Sequence, residues 1–321
     1  MTLFSTRPLI GLVSLALLTG GATSAHSQDY AASVAGFNLS SAAPYNNPNA
    51  VLGQPTTLIN SLGRFGEVSG TYHASMVYPA YNVNPAGSPP SSSDLITSLG
   101  SVANSSTNFL TVKLAAPITH SDSHWYGDDF IVYGNAQFFG KNFDSVTPTT
   151  DMSQYIIGGD YGIYQNGTPS IRVSADGINF VSLATTQTFF PENPYAWAGI
   201  TSDNASGFGA LNDFTKPVDP SLKVDDFFGQ SVAFADNSLY RGSAGGQAFS
   251  LAGSGLSSIQ YIQFTGTGNI DAVAGVSDAP AANPVPEASS ALSLGVLALL
   301  GAGVLAARRG RKTAVPTGGS Q

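Results

Sequence analysis

The chain has 321 residues, and its sequence predicts an all-β fold, a sandwich or barrel, with one apolar helix at each end. Short runs rich in β-branched and aromatic residues recur through the middle of the chain and are separated by turn residues. Long stretches with helical periodicity are missing from this middle part. The two longest apolar runs lie near the N-terminus and near the C-terminus.

The N-terminal segment, residues 1–27, has the layout of a secretory signal peptide. Its one charged residue is Arg7, which precedes the apolar run Leu9–Leu18 and then a series of small residues. The alternative is a buried core helix, but the run lies at the N-terminus and ends in a small-residue cleavage site. We expect cleavage after Ala25 or Ser27 and export of the body that follows.

The body, residues 28–277, carries the predicted strands. The clearest runs are Phe109–Ala115, Asp129–Tyr133, Ser170–Ser174, Phe180–Thr185, Ser231–Ala235 and Ile259–Thr265. Asp176 and Gly177 lie between two of these runs and predict a hairpin turn. The chain has no cysteine, so an exported domain of this kind must be stabilised by its hydrophobic core and not by disulfides.

The charge of the body limits its partners. Between residues 28 and 284, seven basic side chains stand against nineteen acidic ones, a net charge of −12 compared with −8 for the whole chain. Such a surface repels nucleic acids and anionic lipid headgroups. It suits neutral partners and divalent cations.

The C-terminal part is predicted to anchor the protein in a membrane. A linker rich in proline and alanine, residues 278–287, leads into residues 288–307, which are apolar or small and long enough to cross a bilayer. The alternative is an amphipathic surface helix, but this run is apolar on all sides. The basic tail, residues 308–321, marks the cytoplasmic end, so the body faces outward. The basic residues next to the membrane are Arg308, Arg309, Arg311 and Lys312.

The tail resembles a known sorting signal. Pro286, Glu287 and Ala288, followed by the apolar helix and the arginine cluster, are similar in order to a PEP-CTERM signal. This resemblance implies processing near the motif by an exosortase, a membrane cysteine protease-transpeptidase. It also implies an inner-membrane anchor before processing and a place at the cell surface or in the extracellular matrix of a biofilm-forming bacterium afterwards.

The body resembles a group of bacterial surface domains that often carry this kind of tail. The stretch YGDDFIVYGN, residues 126–135, is similar to one of their central strands. Further similar stretches are residues 47–56, 170–180, 242–251 and 259–276. The resemblance implies a jelly-roll-like β-sandwich of the galactose-binding, discoidin-like type. Members of that broad fold commonly bind carbohydrate or act in adhesion, and many hold a structural calcium ion.

Three aspartates are the candidates for a calcium site. Asp128 and Asp129 come where one strand starts, and Asp271 comes where the last strand begins. Calcium takes six to eight hard oxygen ligands, which carboxylates and carbonyls supply. The alternative is that Asp128 caps a turn while the other two accept hydrogen bonds from backbone amides. Calcium is the only cofactor that we expect.

The segment His120–His124 offers a second possible metal site. His120, Asp122 and His124 alternate along the chain, so on an extended strand they would share one face and could bind a transition metal. The segment lies between two predicted strands, and the alternative is a solvated loop.

Aromatic residues are the candidates for a ligand-binding surface. Flat, amphipathic rings stack on sugars while their polar groups form hydrogen bonds. Tyr195 and Trp197 lie in the most loop-like aromatic segment, residues 190–197, and Trp125 is a further candidate. The alternative for each ring is packing in the core.

Catalysis has little support in the sequence. Glycosidases use a pair of carboxylates, and the only glutamates in the body are Glu67 and Glu192. A nucleophile elbow and a phosphate-binding glycine loop are both missing. We therefore expect a non-enzymatic, structural or adhesive surface protein that binds polysaccharide. The alternatives are a glycan-cleaving enzyme on a jelly-roll scaffold and a self-associating matrix component.

Overall fold

The computed structural model describes residues 30–61, 70–81, 95–100, 102–140, 155–158, 163–164, 167–184, 189–202, 204 and 206–280. The described residues up to Asp278 belong to one compact unit. The signal peptide, the sorting motif, the apolar C-terminal segment, the basic tail and Glu67 lie outside the described residues. Within them, no helix has the length and apolar character needed to cross a membrane.

The described part of the chain is all-β, with several antiparallel sheets. Its strands, in chain order, are β1 (Ala31–Asn38), β2 (Leu58–Ser61), β3 (Gly70–His73), β4 (Thr97–Ser98), β5 (Phe109–Thr119), β6 (Phe130–Tyr133), β7 (Gln137–Phe138), β8 (Ile163–Tyr164), β9 (Ser170–Ser174), β10 (Val181–Ser182), β11 (Tyr195–Trp197), β12 (Phe208–Leu211), β13 (Gln247–Phe249), β14 (Ser258–Thr265), β15 (Asn269–Ile270) and β16 (Ala272–Gly275). Short 3₁₀ turns connect several of them.

Two sheets form the main core. The larger has the strand order β1-β5-β14-β9-β10, and the smaller has the order β13-β6-β16. In β5, Leu110, Val112 and Leu114 alternate with more exposed residues and face this core. Phe130 and Val132 of β6 belong to the same hydrophobic cluster. The inward faces of both sheets are therefore buried against one common core.

The smaller sheet is buried on both faces, since every residue of β6 and β16 is buried. On the other face of β6, Ile131 and Tyr133 belong to a second hydrophobic cluster. Their partners across the sheet, on β16, are the small residues Ala274 and Ala272. The Tyr133 hydroxyl donates a hydrogen bond of 2.8 Å to the carbonyl of Phe214. The small alanine side chains leave room for this large ring, which is fully buried.

Most of the predicted strands are present. The runs that begin at Phe109, Asp129, Ser170 and Ile259 form β5, β6, β9 and β14, and the run Phe180–Thr185 contributes the shorter strand β10. The hairpin at Asp176 and Gly177 is also present, because β9 and β10 pair antiparallel. The Asp176 carboxylate accepts hydrogen bonds from the backbone N–H groups of Ile178 and Asn179, at 2.8 Å each, which fold the turn.

The predicted strand Ser231–Ala235 was wrong. The chain forms a short α-helical turn, α1 (Val232–Phe234), which continues into the π-helix Ala235–Tyr240. The Ser231 hydroxyl caps this helix by accepting a hydrogen bond of 3.1 Å from the N–H of Phe234. Val232 and Tyr240 are buried against another hydrophobic cluster, so the helix is held by tertiary packing that the short sequence run does not reveal.

Candidate functional site

Asp129 and Asp271 lie at opposite ends of the smaller sheet. Asp129 precedes β6 and Asp271 precedes β16, and these two strands run antiparallel, with Ala272 opposite Tyr133 and Gly275 opposite Phe130. The structure therefore does not bring Asp271 together with Asp128 and Asp129, as a shared calcium site would require. The two ends of the sheet have different chemistry.

The Asp129 carboxylate is fully buried and accepts four hydrogen bonds. Its Oδ1 accepts from Ser121 N–H at 3.1 Å and faces His124 Nδ1 at 3.0 Å. Its Oδ2 accepts from Leu251 N–H at 2.6 Å and faces His120 Nδ1 at 2.9 Å. Because a carboxylate only accepts, each imidazole carries a proton on Nδ1. Asp129 thus holds the loop 120–125 onto the sheet, and the expected alternative, bonding to backbone amides, is present here.

His120 and His124 are therefore used in hydrogen bonding to Asp129. The third member of the predicted transition-metal set, Asp122, has a fully exposed side chain, and its Oδ1 lies 3.7 Å from His120 Nε2. Nowhere in the described ranges do three His, Cys, Asp or Glu side chains group so that they could hold a metal ion. The segment is a loop, as the alternative reading expected, and Asp128 is buried beside it.

At the other end of the sheet, Asp271 lies against Glu192, and both carboxyl groups are buried. Thr56 holds Asp271 with two hydrogen bonds, from its N–H to Oδ2 at 2.7 Å and from its hydroxyl to Oδ1 at 2.8 Å. The Glu192 carboxyl lies near Asp271 and near the N–H of Gly134. The Glu192 and Asp271 carboxyl groups lie within hydrogen-bond reach of each other, but two ionised carboxylates have no proton to share. Without such a proton, neither Glu192 oxygen accepts a hydrogen bond within the described residues.

The pairing perturbs both carboxyl groups. Burial, followed by the charge of Asp271, raises the pKa of Glu192 well above its usual value. Burial also raises the pKa of Asp271 to about 6, although the hydrogen bonds from Thr56 and the contact with Glu192 act to lower it. Two adjacent carboxylates away from water are unfavourable when both are charged, so this pair needs either a shared proton or a cation.

A different feature lies on the surface, where half-buried aromatic rings meet. His73 of β3 packs edge-on against Tyr195 of β11, with ring centroids 4.5 Å apart, and Phe208 lies 5.2 Å from His73. Leu58 is paired with His73 and Leu211 with Tyr195, and both leucines are about half exposed, at 48% and 49%. We call this group the Tyr195 surface. It consists of Leu58, His73, Tyr195, Trp197, Phe208 and Leu211.

Asp236 anchors this surface to the π-helix. Its buried carboxylate accepts a hydrogen bond of 2.6 Å from the N–H of Trp197 and one of 3.0 Å from Nδ2 of Asn212. It also accepts from Nδ2 of Asn193. These donors lie before, within and after the β11–β12 hairpin. One side chain of the helix therefore determines where the hairpin lies.

Trp197 lies directly over the backbone of Gly207. Gly207 has φ +79, and a Cβ built on it would lie 2.1 Å from the indole ring. Trp197 and Phe208 also pack against the hydrophobic cluster that contains Tyr240. One side of the indole is thus supported by the protein, while the ring as a whole remains half-buried.

Trp125, the third aromatic candidate, belongs to a different environment. The ammonium of Lys216 lies 4.7 Å from the centre of its ring, a cation–π contact that covers one face. Lys216 also donates a hydrogen bond of 2.5 Å to the carbonyl of Arg241. Trp125 is therefore part of a packed corner and is separate from the Tyr195 surface.

Sequence reasoning found Tyr195, Trp197, Glu192 and Asp271 but did not connect them correctly. It did not place His73 beside Tyr195, and it missed Phe208 and Thr56. The β-strand pattern of Gly70–His73 and Phe208–Leu211 could have indicated strands, but it could not show that they meet. No protein-family model matches the chain, and no curated protein matches it significantly in sequence.

Proposed function

We propose that this chain is an exported protein of the cell surface or extracellular matrix, and that its β domain binds a neutral polysaccharide through the Tyr195 surface. The observation that carries the proposal is the group of half-exposed rings around Tyr195, held in place by buried residues. We further propose that the domain is a jelly-roll-like sandwich, which the common core of the two sheets supports.

The chemistry of the Tyr195 surface suits a sugar chain. Sugar rings present C–H faces that pack on aromatic rings and hydroxyls that form hydrogen bonds at the edge. Tyr195 and Trp197 supply rings with polar groups, and His73 adds an imidazole beside them. Burial lowers the pKa of His73, so at neutral pH its imidazole is uncharged and has one donor and one acceptor.

The rigidity of the surface supports binding as well. The hairpin is anchored by Asp236, and Trp197 is supported from below by Gly207. Rings that are already held in position lose little conformational entropy when a ligand binds. The acidic character of the body favours a neutral polymer over an anionic one, because like charges repel.

The location follows from the two ends of the chain. An N-terminal signal peptide and a C-terminal sorting signal would export the domain and anchor it in the inner membrane until an exosortase-type enzyme processes it. Pro286, Glu287 and Ala288 would form the recognition motif. Release or attachment after processing would place the polysaccharide-binding domain where matrix polymers occur.

The enzyme alternative depends on a carboxyl pair, and Glu192 with Asp271 is such a pair. Both side chains are almost completely buried, at 0% and 2% exposure, so a glycan has no access to them in this conformation. A glycosidase needs its two carboxyl groups on either side of the scissile bond. The geometry therefore favours a binding protein over a glycan-cleaving enzyme.

Affinity electrophoresis tests the proposal. The full chain, purified in a mild detergent, is run through gels that contain a neutral polysaccharide, either a glucan, a galactomannan or a xylan, and through gels with acidic alginate. We expect at least one neutral polymer to retard the protein. Tyr195→Ala and Trp197→Ala should each weaken binding about tenfold or more, which corresponds to about 1.4 kcal/mol.

Phe37→Ala is the matched control. Phe37 is an aromatic residue of β1 with 53% exposure, and it does not belong to the Tyr195 surface. Its replacement should leave retardation unchanged, and circular dichroism should show that all variants are folded. Lack of retardation in every gel would contradict the proposal. Concentration-dependent sedimentation without any polysaccharide would favour the self-associating alternative instead.

A further inference from the structure

The buried carboxylates of the domain differ in whether their oxygens accept hydrogen bonds. Asp129 accepts four hydrogen bonds, and Asp236 accepts three, each from donors that are described above. Glu192 is just as deeply buried, at 0% exposure, yet neither Oε1 nor Oε2 accepts a normal hydrogen bond from the described part of the chain. Instead, its carboxyl faces a second carboxyl group, that of Asp271.

Glu192 cannot relieve this arrangement by turning toward solvent. The segment that carries it is held by Phe190, which exchanges two backbone hydrogen bonds with Gly246, and by Asn193, whose N–H donates to Ala244 at 2.8 Å. Gly245 has φ +88 and passes so close that a Cβ on it would lie 2.2 Å from the carbonyl of Pro191. The backbone on both sides of Glu192 is thus held against residues 244–246, which lead into β13.

Asp271 is held equally firmly. Its N–H donates a hydrogen bond of 2.9 Å to the carbonyl of Tyr133, and Thr56 bonds to both oxygens of its carboxylate. Each carboxylate oxygen has two lone pairs, so one lone pair on each Asp271 oxygen remains available. The two carboxyl groups together therefore offer four oxygens, in a position that the surrounding backbone determines.

We propose that Glu192 and Asp271 bind one divalent cation, and that this cation is calcium. Two carboxylates carry a charge of −2, which a divalent ion neutralises in a place where neither charge is solvated. All charged donors are oxygens, and hard oxygen donors select calcium or magnesium over zinc or copper. Magnesium usually keeps several water ligands, whereas calcium accepts neutral protein oxygens such as the Thr56 hydroxyl, so the burial of this site favours calcium.

This site differs from the calcium site that the sequence suggested. It keeps Asp271, replaces Asp128 and Asp129 with Glu192, and lies at the opposite end of β6. The inference does not depend on polysaccharide binding. An ion at this position would fasten the segment 190–194, which leads directly into β11, and would therefore also stabilise the base of the Tyr195 surface.

Calcium titration of the full chain tests the proposal. The protein in mild detergent is stripped with EDTA and EGTA, desalted, and titrated with calcium chloride by calorimetry. Elemental analysis after equilibrium dialysis should give one calcium per chain. Thermal unfolding should show that 1 mM calcium raises the midpoint by about 5 to 10 °C, as expected for a ligand that binds only the folded state well above its Kd. Magnesium at the same concentration should have a smaller effect.

Two substitutions and two controls locate the ion. Glu192→Gln and Asp271→Asn keep the size of each side chain and remove its charge, so both should abolish the calcium-dependent rise. Glu192→Gln should be at least as stable as the unaltered protein in EDTA, because one charge of the pair is gone. Asp122→Asn, on the exposed loop, and Asp225→Asn, an exposed residue of another turn, should keep the full response.

Terbium luminescence provides a second measurement that needs no variant. Tyr133 is next to the site, because its carbonyl accepts a hydrogen bond of 2.9 Å from the N–H of Asp271. Terbium in the site should therefore show emission on excitation of tyrosine, and calcium should displace it. The proposal is overturned if the stripped protein binds no calcium at millimolar concentration. It is also overturned if Glu192→Gln keeps the calcium-dependent rise in midpoint. It is overturned as well if EDTA has no effect on the stability of the unaltered protein at any pH, because the two carboxyl groups then share a proton and bind no cation.

Discussion

Replacement of Asp129 with asparagine tests how the loop 120–125 is held to the sheet. The carboxylate accepts from the N–H groups of Ser121 and Leu251, one on each oxygen, and from two imidazoles. An asparagine has only one oxygen, so its amide NH₂ must face one of these two backbone donors. An imidazole can respond by moving its proton to the other nitrogen, but a backbone N–H cannot become an acceptor.

The magnitude follows from that count. One buried backbone N–H without a partner costs about 1 to 3 kcal/mol, and the remaining hydrogen bonds lose the strength that a charged acceptor gives them. We expect Asp129→Asn to lower the free energy of unfolding by about 3 kcal/mol. The assay is urea unfolding of the full chain in calcium-containing buffer, followed by fluorescence and extrapolated linearly to water.

Asp122→Asn is the control for this prediction, because it lies in the same loop with a fully exposed side chain. Its free energy of unfolding should stay within about 0.5 kcal/mol of the unaltered protein. The reasoning is refuted if Asp129→Asn costs less than about 1 kcal/mol, or if both variants lose the same amount.

Three further predictions concern the Tyr195 surface. Gly207→Ala should lower the free energy of unfolding by about 1 to 3 kcal/mol and weaken polysaccharide binding, because φ is positive there and the new methyl group would overlap Trp197. Gly199→Ala is the control, since Gly199 has a similar φ but open space around it, so it should lose only the stability that the backbone strain costs. Equal losses of stability in both variants would argue against the contact with Trp197. Asp236→Asn should lower the free energy of unfolding, measured with urea, by about 2 kcal/mol or more, because one of the donors to the buried carboxylate loses its acceptor. An unchanged free energy would show that other contacts hold the β11–β12 hairpin in place. Burial lowers the pKa of His73 below its usual 6.5, so the stability that the neutral imidazole contributes above pH 6.5 should be lost as the pH falls through the folded-state pKa. In thermal unfolding at a series of pH values, the midpoint of His73→Gln should therefore fall less over this interval. An identical pH dependence of the two midpoints would show that His73 does not contribute to it.

The strands could be predicted where the local pattern and the tertiary structure agree. Phe109–Thr119 alternates buried and more exposed residues over much of its length, so its pattern indicates a strand without further information. The segment after Ser231 has a similar short apolar run, yet Ser231 caps a helix and Tyr240 packs below it. A run of five residues does not distinguish a strand from a helix, and here the cap at Ser231 and the packing of Tyr240 favour the helix.

The candidate sites required contacts between distant parts of the chain. Asp129 and Asp271 each precede a buried strand, which suggested a common site. The antiparallel pairing of β6 and β16 separates them, and strand direction cannot be inferred from either segment alone. Glu192 was recognised only as a possible acid, and its position beside Asp271 depends on the backbone hydrogen bonds that hold the segment 190–194 against residues 244–246.

The surface rings show the same limit. Tyr195 and Trp197 were predicted as ligand-facing residues from their turn-rich surroundings. Phe208 lies on β12, the other strand of the same hairpin, whereas His73 comes from β3, far away in the sequence. Only the folded chain brings the four rings together.

Tryptophan fluorescence tests polysaccharide binding at the Tyr195 surface most directly. The chain has two tryptophans, so Trp125→Phe leaves Trp197 as the sole indole. Titration of this variant with a neutral polysaccharide that retards the full chain should shift the emission of Trp197 to shorter wavelength in a saturable manner. Trp197→Phe, with Trp125 retained, should show no shift. Binding without any change in Trp197 emission, or a change only from Trp125, would contradict the proposed site.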